Sequence, residues 1–134
     1  MIAFYIPGPP VPWKRARSNG ARRYTDPKMG AYQAHIRGSA KTDGALPDKP
    51  ITSPLAVSLD VAIGIPKSWS KQKQMQALTG ALLPTSTPDL DNLQKQIGDA
   101  LNGHLWGDDA QIVNWQASKR YGLAPGVWVR VEVV

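Results

Sequence analysis

A chain of 134 residues is long enough for one domain with a modest core, and the expectation is a single domain over residues 1–134. Its hydrophobic fraction of 42% argues against a disordered chain, and no apolar run reaches the roughly 18 residues of a membrane span. With no cysteine, disulfides and thiolate zinc sites are excluded; with no charged-then-apolar amino terminus, the expected setting is the cytoplasm, with neither membrane nor organic cofactor.

Residues 3–6 read as a short first strand, ended by Pro7-Gly8-Pro9-Pro10, because proline cannot donate to a ladder. Trp13 opens a basic loop and is either a platform for a base or, the favoured reading, the anchor of that loop to the core. Between residues 14 and 28 stand Lys14, Arg15, Arg17, Arg22, Arg23 and Lys28 against one acid, Asp26, so most of the net charge of +6 lies there. Such a cluster is either a solubilising loop or a phosphate-binding surface.

Thr25-Asp26-Pro27 is a helix start, a capping side chain followed by a proline in the first turn. Met29, Tyr32, Ile36 and Ala40 mark the buried side, with Lys28, Arg37 and Lys41 kept away from it. Residues 42–54, rich in Gly, Pro, Asp and Lys, are expected to form an exposed, mobile loop. Val57, Leu59, Val61, Ile63 and Ile65 then alternate with smaller or polar residues as a strand. Asp60 on its other face is either solvated or a neighbour of a metal site. Ser68 is a candidate cap for a helix over residues 69–79. Residues 111–121 and 126–134 read as two further strands joined by a Gly-Leu-Ala-Pro-Gly turn. The fold class expected from this order is α+β, helices packed on a mixed or antiparallel sheet.

Half of the ten acidic residues fall in PDLDNLQKQIGDALNGHLWGDDAQ, residues 88–111: Asp89, Asp91, Asp99, Asp108 and Asp109. Pro88 and Asp89 suit a helix start and Asn102-Gly103 a stop, while Leu90, Leu93, Ile97 and Leu101 form one apolar stripe. Asp91, Lys95 and Asp99 stand four residues apart on a polar face. They are compatible with a solvated ladder of ion pairs or with one side of a site. Carboxylates repel at close range, so a fold that gathers them commonly places a hard divalent cation among them. A helix of this length has ends roughly 18 Å apart, so Asp109 meets Asp89 and Asp91 only if the following loop folds back alongside it. His35 and His104 lack a second ligand at metal spacing and read as structural or surface residues. A calcium loop is excluded, because Leu93, Gln94 and Ala100 occupy positions where a ligand, a turn glycine and a bidentate glutamate belong.

The run DLDNLQK, then DAL, a glycine-containing loop and W-x-DDAQIV resembles the RusA family of Holliday junction resolvases of bacteria and their phages. The likeness is close over Pro88 to Val113 and looser over the proline-glycine turn, the basic loop and Lys119-Arg120-Tyr121. It implies a RusA-like homodimer that uses Mg²⁺ to nick four-way DNA junctions symmetrically in recombination and repair. It also implies that Asp89, Asp91 and Asp109 are the essential carboxylates, Lys95 a catalytic partner and Asp108 a lesser metal contributor. Lys14, Arg15, Arg17, Arg22, Arg23, Lys28 and Lys119 are then expected to face branched DNA. A non-catalytic branched-DNA binder and a nuclease acting on flaps or forks are the alternatives.

Overall fold

The structure, a computed structural model, describes every residue except 16, 20, 21 and 25, and describes residues 17–19 and 22–24 by their backbone alone. In chain order the elements are β1 (Ile2–Pro7), β2 (Arg17–Asn19), β3 (Arg22–Tyr24), α1 (Pro27–Thr42), β4 (Leu55–Gly64), α2 (Lys71–Thr79), α3 (Leu90–Leu101), β5 (Ile112–Gly122) and β6 (Gly126–Val133). A single 3₁₀ turn, Asp109–Gln111, precedes β5. Four strands form one mixed sheet in the order β1-β6-β4-β5, antiparallel except for the parallel pair β4 and β5. The expected α+β architecture is thus present, and the described residues share one core.

Alternation in the strands decides which face is covered. Phe4, Ile6, Leu55, Val57, Leu59, Val61, Val127, Val129 and Val131 point one way and are buried with Tyr32, Ile36 and Ala40 of α1 and Leu93, Ile97 and Leu101 of α3. On the opposite face, with Ser58, Gln116, Trp128 and Arg130, no helix among the described residues buries the sheet, and Trp128 is 49% exposed. Asp60 lies on this open face in an exposed ion pair with Arg120 at 3.3 Å, away from the acidic helix, which selects its solvated reading. Val133 continues the alternation of Val127, Val129 and Val131 but is exposed, as the last residue of β6.

Several local expectations need correction. Ser70, not Ser68, caps α2, its Oγ accepting from the Lys73 amide at 3.2 Å, because Trp69 N donates to Pro66 O and keeps residues 66–69 in a turn. Arg37 is half-buried rather than turned away, and donates to Ala100 O at 3.4 Å. The segment 42–54 is packed, not a free loop: Ala45 is buried, and Ile51 bridges to the core residue Trp106. Within the basic loop, β2 and β3 pair antiparallel as a short ribbon that composition alone did not suggest. Pro27 and Asp26 open α1 as expected, Asp26 accepting from Lys28 N at 2.9 Å; Thr25 lies outside the described residues.

The outer strand β1 is blocked at Tyr5 and Pro7 along its free side. Tyr5 N donates to Asp43 Oδ2 at 2.9 Å, Pro7 has no N–H, and His35 Nε2 lies 2.6 Å from Pro7 O. The Tyr5 ring crosses Gly126, tilts against Trp128 at 4.8 Å between centroids, and reaches Pro125 O at 3.3 Å. A Cβ at Gly126 would occupy the space of that ring. Gly126→Ala is therefore expected to lower stability by about 1–3 kcal/mol in urea unfolding, with most of the loss absent in a Tyr5→Ala background.

Candidate active site

Helix α3 presents the central carboxylates because its apolar stripe is fully used by the core. Leu93, Ile97 and Leu101 are completely buried, and so is Gln96, which donates to Met29 O at 3.3 Å and accepts from Gln33 at 3.0 Å. That polar tie between α1 and α3 leaves Asp91 and Lys95 exposed on the remaining face. Asp89 is the N-cap residue, yet its carboxylate makes no capping bond and is left for other work. Instead its carbonyl accepts from Leu93 N at 3.1 Å.

The loop after α3 does fold back. Trp106 is fully buried, with its Nε1 donating to Asn102 Oδ1 at 2.9 Å and to Gly98 O at 3.4 Å. Gln111 fixes the acidic turn that follows: its Oε1 accepts from Gly107 N and Asp108 N at 3.0 and 3.1 Å, and its Nε2 donates to Ile51 O and Ser53 O, both at 2.8 Å. Asp109 consequently lies against Gly98, where an added Cβ would stand 3.0 Å from Asp109 Oδ2. The absence of a side chain at Gly98 lets the carboxylate settle on the helix.

Burial raises the Asp109 pKa, and the charges of Asp108 and Asp99 and a hydrogen bond with Asp108 raise it further, against Lys95, which lowers it. Asp109 therefore shares its surroundings with Asp108, Asp99 and Lys95. Gly98 lies seven residues beyond Asp91, about 10 Å along the axis, so Asp89 and Asp91 sit toward one end of this face and Asp109 toward the other. Among the described residues no three acidic or histidine side chains converge closely enough to share one ion. The donor chemistry nevertheless suits Mg²⁺, which takes oxygen ligands and is commonly held by only one or two carboxylates. The crowding of like charge at Asp109 is the kind of imbalance a cation relieves.

Among the described residues the sole ion pair is Arg120 with Asp60, so Asp91, Lys95 and Asp99 do not form an ion-pair ladder. The Lys95 ammonium sits over the Trp13 ring, 4.7 Å from its centroid, while Trp13 N donates to Asn92 O at 3.1 Å. Trp13 thus anchors the basic segment on the acidic helix itself. Lys14 and Arg15 follow it and are exposed, as is Lys28 at the start of α1. The side chains of Arg17, Arg22 and Arg23 lie outside the described residues. Lys119, expected to face DNA, is half-buried, and its Nζ donates to Ser86 O at 2.7 Å and Pro88 O at 3.1 Å. Sequence reasoning set Asp99 on the polar face of the helix without joining it to Asp109, and overlooked Gly98, Gln111 and the Trp13–Lys95 contact as parts of the site. The DDAQ run was the available signal for Gln111.

A raised carboxyl pKa means that the folded chain holds the Asp109 proton more tightly than the unfolded chain. Stability from this group is complete at low pH and is lost as pH rises through the raised value. Asp109→Asn is therefore expected to unfold at a higher temperature than wild type near pH 7 without metal, and the difference should close below roughly pH 4, where carboxyls are protonated in both states.

Comparison with known proteins gives the family. Residues 7–132 match the family model described as endodeoxyribonuclease RusA. The chain is also similar to the uncharacterized protein YqaN of Bacillus subtilis (strain 168), with 35% identity over 138 aligned positions covering 99% of this chain and 96% of the relative. On this match over nearly its whole length, the chain belongs to the RusA family of endodeoxyribonucleases.

Proposed function

We propose that the protein is a Mg²⁺-dependent, structure-specific endonuclease that resolves four-way DNA junctions by paired nicks, acting in the cytoplasm of a bacterial cell or of a phage-infected host. The observation that carries this reading is the packing of Asp109 on α3 at Gly98, which brings the second acidic segment onto the helix face bearing Asp89, Asp91 and Lys95. Family membership gives the reaction class, hydrolysis of a DNA phosphodiester.

In this reading Asp89, Asp91 and Asp109, with Asp108 adjacent, would hold Mg²⁺ once the cation draws together the two ends of the acidic face, which do not converge in the free chain. A cation held there would supply Lewis acidity toward the scissile phosphate and favour ionisation of the attacking water. Lys95, turned toward Trp13 in the free protein, offers an ammonium to the phosphate as negative charge builds on its oxygens. Trp13 limits where that ammonium can stand. Lys14, Arg15 and Lys28, with Arg17, Arg22 and Arg23 of the same segment, take the flanking phosphates and set position without reading bases. A C2 homodimer provides one acidic face for each of two opposed strands.

The deciding experiment compares a mobile four-way junction with linear duplex, in Mg²⁺ and in EDTA. Wild type should nick the junction alone, symmetrically and only with Mg²⁺, and Asp91→Asn should not. Lys95→Ala should slow nicking by about 10²–10³-fold. A Lys95→Arg protein cutting at the wild-type rate removes the specific role of Lys95. Junction binding without cutting in any divalent metal makes the protein a DNA-structure binder, preferred cutting of flaps or forks moves the substrate, and a monomer that still resolves junctions rules out the dimer.

A further inference from the structure

We propose that Lys119 is a positioning residue for the carboxylates at the start of α3, holding the Ser86–Pro88 turn from β5 rather than contacting DNA phosphates. The inference rests on the reading of α3 as the face that cleaves DNA. In register with Val61 of β4, Lys119 lies on the side of the sheet that the helices cover. Its ammonium spends two of three N–H donors on Ser86 O and Pro88 O, at 2.7 and 3.1 Å. Bonds from an ionised donor are among the stronger ones, and these two hold the backbone immediately before Asp89.

Two further observations point the same way. The Asp89 side chain does not cap its own helix, so the direction of the chain into α3 is set by neighbours. Trp13 N on Asn92 O is one of these, and Lys119 is the other. In addition, a cation beside a helix N-terminus faces the positive end of the helix dipole, which opposes it. The site is favourable for an ammonium because carbonyl oxygens meet it directly and because Asp89 and Asp91 stand in the adjoining turn. A lysine serving as a phosphate contact keeps its head in solvent, whereas this one is half-buried and directed at backbone.

The test uses the full chain without DNA first. In ¹⁵N spectra of the metal-free wild type, the Lys119 ammonium should show protected, slowly exchanging protons that other lysines lack; an ammonium exchanging as fast as theirs overturns the proposal. In Lys119→Met, amide exchange should accelerate about tenfold over residues 89–93 and change less than twofold elsewhere, and Mn²⁺ affinity by calorimetry should fall about tenfold. Lys119→Arg, which keeps charge and donors, should recover most of both. Junction affinity of the Met variant in EDTA should stay within twofold, with an unchanged salt dependence. Unchanged exchange at residues 89–93, together with weaker junction binding and a salt slope reduced by about one, makes Lys119 a phosphate contact and sinks the idea. If the wild type shows the protected ammonium and binds Mn²⁺ yet cuts no DNA, the proposed activity fails while the positioning role stands.

Discussion

The parallel pairing of β4 with β5 is the constraint on which the rest depends. Parallel neighbours cannot be joined by a tight turn, so the chain must cross from the end of β4 to the start of β5. Helix α3 belongs to that crossover, and its apolar stripe covers the sheet while its acidic side remains outside. One end of the helix is thereby held near Lys119 on β5. The other leads through Trp106 into the acidic turn, which must come back alongside the helix before β5 can begin. Carboxylates distant in sequence share one face because of this route.

Such an arrangement works against stability in the free protein. Asp109 is partly buried beside Asp108 and Asp99, with Lys95 the opposing charge, and Lys95 is itself turned toward an indole. Packing of Trp106, Leu93, Ile97 and Leu101, together with the four hydrogen bonds of Gln111, holds the charged face in place. The cost is concentrated where a cation would relieve it. Stability comes from the apolar side of the same helix.

Much of the architecture was legible from local pattern. The limits of α3, its Leu93–Ile97–Leu101 stripe, the alternation in β4 and β6 and the Asp26-Pro27 start of α1 all follow from periodicity and capping, which depend on neighbours a few residues away. Contacts that join distant segments were not legible. Periodicity tells which face of β4 is buried but not that β5 runs parallel beside it. Gln96 reads as a surface residue until α1 supplies Gln33 and Met29 O. Ala45 and Ile51 were masked by the Gly, Pro and Lys around them. Lys119 looked like a free cation because sequence does not show that carbonyls from residues 86 and 88 surround it. The DDAQ motif correctly marked the acidic turn, although not the separation between Asp109 and the start of α3.

The blocked stretch of β1 bears on how copies of this protein can associate. With Tyr5 N occupied by Asp43, no N–H at Pro7 and Pro7 O beside His35, a foreign strand finds no ladder to join over that stretch. Among the described residues β5, at the other side of the sheet, has no strand beyond it. A sheet with a single usable edge can extend by edge pairing once, because the second molecule consumes the free edge of the first and presents only its own blocked one. Edge pairing through β5 would then favour a closed pair over a growing fibre, because the Tyr5–Pro7 stretch of each β1 resists a further strand.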